Sequence, residues 1–82
     1  MSIGDLIDQL ITANVKIFFI EERLEALQQQ RKQRETEELL RRIADLDRAR
    51  RDMVTKRRML INKINAYFRE RTPPEFRTFE VE

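Results

Sequence analysis

The chain contains no cysteine and no histidine, and only one glycine and two prolines among its 82 residues. No disulfide can staple the fold, and an ordinary zinc site built on Cys and His ligands is excluded. The same absences remove the commonest general base and the best side-chain nucleophile, and the one serine, Ser2, stands at the start of the sequence. Triad-type hydrolysis is therefore excluded, and acid–base chemistry would fall to carboxylates. Neither an enzyme nor a bound cofactor is expected. Long apolar runs are missing as well: the longest, Ile17 to Ile20, is far too short to cross a bilayer, and no cationic stretch precedes an apolar core as in a signal peptide. A cytoplasmic location without membrane contact is expected.

What is present is charge and helical periodicity. The net charge is only +2, yet it is unevenly spread: residues 1–30 carry 5 acids and 2 bases, residues 31–72 carry 7 acids and 14 bases, and residues 73–82 carry 3 acids and 1 base. An acidic half followed by a basic half favours the two lying side by side, whereas a nucleic-acid binder is more often basic throughout.

The spacing predicts a first helix over about residues 2–29. Ser2 and Asp5 have the spacing of a capping box, and Asp5 and Asp8 suit the positive end of a helix. From there Ile3, Leu6, Leu10, Ala13, Ile17, Ile20, Leu24 and Leu27 recur at alternating steps of three and four, an unbroken heptad seam. Gln28 to Arg34 holds nothing apolar but also no Gly or Pro, so a turn within it and a helix running straight through are both compatible with the residues; a turn is placed near 29–36. Thr36 suits the N-cap of a second helix, with Glu37 and Glu38 in its first turn. That helix is expected to span about 36–71, since Pro73 and Pro74 push the residue before them out of helical geometry. Its seam is Leu39, Ile43, Leu46, Met53, Leu60, Ile64 and Tyr67, with Arg50 and Arg57 filling two positions by laying their stems along apolar surface. The expected fold is all-α: one two-helix antiparallel hairpin over residues 1–82, coiled-coil-like, with an extended tail at 72–82. Phe76, Phe79 and Val81 in that tail are expected to be buried, either on the helices or on a partner.

A hairpin needs one apolar stripe per helix, and this sequence has more. Ile7, Ile11 and Phe18, with Asn14 among them, lie beside the first seam, and Val15 and Phe19 are expected to widen that stripe. Val54, Ile61 and Phe68 lie at intervals of seven beside the second seam. Both extra stripes fall in the halves distant from the turn, so a sticky base and a wet tip are expected. Ile7, Ile11, Phe18, Val54, Ile61 and Phe68 are accordingly the expected interface, and the chain is expected to act as a protein–protein interaction or assembly module. A homodimeric four-helix bundle or the groove of another protein would cover it.

Charged positions carry the competing expectations. Asn14 and Glu21 stand on one heptad line with Ile7, where a packed helix prefers apolar groups; an Asn there fixes register, and Glu21 is expected to pair with an Arg of the second helix. A functional alternative gathers Asn14, Lys16, Glu21 and Glu22 with Arg57 or Arg58 around a small polar ligand or phosphate, or makes Glu21 the carboxylate of an enzyme site. Arg34, Arg41, Arg48, Arg51 and Arg58 form a stripe that could follow phosphates of a nucleic acid. Against it, Glu37–Arg41, Glu38–Arg42, Asp47–Arg51 and Asp52–Lys56 are acid-before-base pairs four residues apart, the pattern of a solvated helix face. No aromatic is interleaved for base stacking.

The segments Leu6-Ile7-Asp8-Gln9-Leu10, Asn14-Val15-Lys16-Ile17-Phe18 and Glu21-Glu22, with Lys56-Arg57-Arg58, Leu60-Ile61 and Ile64-Asn65 later, resemble short uncharacterised bacterial helical-hairpin proteins. These are classed as domains of unknown function and are sometimes encoded near sugar-polymer genes; in them an Asn, an aromatic and an acidic pair recur at this spacing. Phe18 stands where they usually carry Trp, and the stretch between the segments does not match. The likeness covers about half the chain. It implies a helical hairpin and no established activity.

Overall fold

The computed structural model describes residues 2–71, which form two helices, α1 (Ile3–Gln33) and α2 (Glu37–Arg71), packed against each other as an antiparallel hairpin. Each start is built by its side chains. Ser2 Oγ accepts a hydrogen bond from the Asp5 N–H at 3.1 Å, and Asp5 Oδ2 accepts from the Ser2 N–H at 3.4 Å, closing the capping box. Thr36 Oγ1 accepts from the Leu39 N–H at 3.1 Å and so caps α2.

The helices bound a turn much shorter than the polar stretch suggested. Helix α1 continues past residue 29 to Gln33, leaving only residues 34–36 outside helix. Gln and Arg are good helix formers, and nothing in Gln28–Gln33 competes with the helical hydrogen bonds. The stop comes at Arg34, whose backbone is extended while its N–H still reaches the Gln30 carbonyl at 3.0 Å. Arg31 Nε lies 2.7 Å from Glu35 Oε1 and ties the turn back to the last turn of α1. The 72–82 tail, with Phe76, Phe79 and Val81, lies outside the described residues.

All eight seam residues of α1 and all nine of α2, Arg50 and Arg57 included, are buried or partly buried. The core clusters at Leu6, Ala13 and Leu60, with Ile3, Leu10, Met53 and Ile64 packed around it. Ala13 is fully buried, which lets the helices approach closely in the base half. Around this seam the described residues measure 58 × 24 × 14 Å. Its thin dimension is that of a single layer of helices, about 10–12 Å with side chains.

Candidate interaction face

A two-helix layer has two flat faces, and the heptad pattern decides what each displays. The first residue after a seam position begins one face: Ile7, Asn14, Glu21 and Gln28 on α1, and Leu40, Asp47, Val54, Ile61 and Phe68 on α2. Because the helices are antiparallel, these two lines lie on the same side of the hairpin. Near the tip this is seen directly, where Glu21 and Gln28 line one groove together with Leu40 and Asp47. Four residues further along each line lie Ile11, Phe18 and Glu25 on α1 and Ala44, Arg51 and Arg58 on α2, completing the face.

The base half of this face is apolar and open. Ile11 and Phe18 are 56% and 57% exposed, Phe68 is 49% exposed, and Ile7 and Ile61 are close to 40%. Val54 is partly buried. All six residues marked by the sequence as an excess stripe therefore share one side, and five of them lie open. Val15, on the outer edge of α1, extends the strip.

Phe19 does not. It lines a depression with Lys16, Ile20, Ala49, Asp52 and Met53 on the other side of the hairpin, where Arg23, Arg42 and Asp45 border the neighbouring groove. A single residue step turns 100° around a helix, enough to carry Phe19 past the outer edge while Phe18 stays on the apolar face. The second flat face is thus mostly charged, with Phe19 and Met59 as its large exposed apolar groups among the described residues.

Of the polar residues singled out from the sequence, the fold brings one pair together. Arg57 Nη1 donates to Asn14 Oδ1 across the seam at 3.4 Å. The wider group does not assemble. Lys16 sits on the charged face beside Asp52, whereas Glu21 opens on the other face, because five residues along a helix correspond to a rotation of about 140°. Glu22 borders a further groove with Phe19 and Arg23.

Nor does Glu21 take an Arg from α2. Arg50 Nε lies 3.8 Å from Asp47 Oδ1, and Arg51 Nη2 lies 3.9 Å from Asp47 Oδ2, so the nearest guanidiniums are drawn along their own helix. The pairs Arg31–Glu35, Glu38–Arg42, Asp47–Arg50, Asp47–Arg51 and Glu70–Arg71 join near neighbours in sequence; Glu38–Arg42 and Asp47–Arg51 are two of the four acid-before-base pairs expected. All five Arg of the stripe are exposed: Arg41 and Arg48 on the outer side of α2, Arg51 and Arg58 at the border of the apolar face, and Arg34 in the turn.

Among the described residues no polar or charged residue is buried, and no group of three or more acidic, His or Cys side chains is placed to hold a metal ion. None of their helices is long and apolar enough to cross a membrane. No protein-family model, curated protein or solved structure matches the chain.

Proposed function

We propose that the protein is a non-enzymatic interaction or assembly module of the cytoplasm, a small accessory or scaffold subunit that works through the apolar base of one flat face. The observation that carries this reading is the one-sided strip of Ile7, Ile11, Phe18 and Ile61, exposed on described residues that form a single helix layer. A stable domain buries its apolar surface between at least two layers, and a second chain packed on this face would supply the layer that the two described helices lack. Soluble monomers seldom leave a continuous apolar patch uncovered. Covering the half-exposed remainder of these four side chains is worth roughly 3–6 kcal/mol per chain, taking about 1.5–3 kcal/mol for burying each one fully. That is large beside the marginal stability of a lone hairpin.

Substituting Ile61→Glu places a charge in the middle of the strip without touching a seam residue, and Glu favours helix. Light scattering should show wild-type assembly at micromolar concentration, lost in Ile61→Glu while circular dichroism at low temperature still reports helix. A wild-type chain that is folded and monomeric with no partner present would overturn the proposal.

A further inference from the structure

We infer that the occupant of this face is a second copy of the chain, lying with its tip at the same end, so that α1 of each copy packs on α2 of the other. The inference rests on the reading of the face as an interaction surface and adds its partner and geometry.

The two helices of the hairpin carry matching lines. Gln33 and Glu37 flank the turn and Asn14 contacts Arg57, so residues level with one another have numbers adding to about 70. A twofold axis running along the hairpin keeps every residue at its own height and exchanges the helices. The residues of α1 on the apolar face then meet residues of α2 within about two positions of level, or roughly 3 Å at 1.5 Å per residue. Ile11 meets Ile61, and Phe18 meets Val54. Between and beyond them, Asn14 meets Arg58 and Glu21 meets Arg51.

The polar pairs decide in favour of this arrangement. Glu21 lies on the face with no ion pair inside its own chain among the described residues, and Arg58 likewise. Arg51 holds its own Asp47 only at 3.9 Å and is 68% exposed, so its guanidinium is open to a second carboxylate. Two matches are unfavourable: Ile7 comes level with Asn65, and Glu25 with Asp47, whose charge Arg50 and Arg51 offset from within its helix.

The other twofold arrangement, tips at opposite ends with the axis crossing the strip at Ile11 and Ile61, also covers the apolar residues. It matches charge less well. Arg51 would come level with Arg71, and Glu21 would face no Arg or Lys side chain, only the start of α1. An unrelated partner would impose no reason for the two lines of one chain to complement each other, apolar against apolar and Glu against Arg.

The absence of cysteine gives a direct test in the full chain. Single variants Ile11→Cys and Ile61→Cys, mixed, refolded together and mildly oxidised, should form a mixed disulfide dimer, with little disulfide from either variant alone. Disulfides within each variant alone, and none in the mixture between variants, would overturn the shared-tip arrangement while leaving the face a contact between copies. A wild-type chain that is an unfolded monomer when purified overturns the second copy as occupant and leaves the interaction reading standing; a folded monomer overturns both. As an independent readout, Glu21→Arg and Arg51→Glu should each weaken self-association about tenfold across the two symmetric pairs. Combined in one chain they should restore most of it, and a double variant as weak as the two losses together would refute the pairing.

Discussion

The contact between Asn14 and Arg57 joins two residues that break the apolar rule of their helices, one just beside the seam and one within it. Arg57 is partly buried, and its bond to Asn14 is long at 3.4 Å. A weak bond of this kind contributes little net stability, while a polar side chain at a seam position costs stability and fixes register. Replacing Arg57→Leu should therefore raise the melting temperature by several degrees, about 4–8 °C for each kcal/mol gained in a domain of this size. Cross-linking or scattering should show a less uniform register or oligomer distribution in the same variant. A lower melting temperature would mean that the Arg57 stem and its bond outweigh the apolar packing. The partial burial of Arg50 and Arg57 was legible from the sequence, because seam spacing sets position whatever the residue type. The partner of Glu21 was not, because local pairing at three and four residues captured Arg50 and Arg51 for Asp47, and that competition depends on side-chain reach rather than on spacing.

At the scale of the elements, the two starts and the shared seam were readable, since capping oxygens and heptad steps act locally. The end of α1 was not. Gln28–Gln33 has no apolar residue to report a seam and no Gly or Pro to mark a stop, so only the backbone shows that the helix persists to Gln33. Phe19 was misplaced for a related reason: a stripe counted along the sequence does not reveal which side of the outer edge a residue falls on until the partner helix is in place. The tight turn that results makes Thr36 important, as the cap of α2 and the last residue before it. Thr36→Ala should cost about 1 kcal/mol, the usual worth of a helix N-cap. The melting temperature of the variant should fall accordingly at every protein concentration, while the contacts of the apolar strip at the far end are kept. An unchanged melting temperature would show that the cap contributes nothing to α2.

For the whole molecule, folding and assembly should be a single event. A layer of two helices with a core centred on Leu6, Ala13 and Leu60 has little apolar surface to bury by itself, and its extents of 58 × 24 × 14 Å leave most side chains next to solvent. If the base strip is covered by a second copy, the unfolded state is two separate chains and the folded state is one dimer, so the melting temperature must rise with protein concentration. Each tenfold increase adds about 1.4 kcal/mol to the dimer. For roughly 160 residues this corresponds to about 3–6 °C, at 2–4 °C per kcal/mol. Thermal melts from 2 to 200 micromolar should thus separate by about 6–12 °C over the two decades, and the separation should vanish in Ile61→Glu. A wild-type melt that does not move with concentration would show that the hairpin holds itself together, and that the exposure of Phe18, Ile11 and Phe68 is tolerated rather than covered.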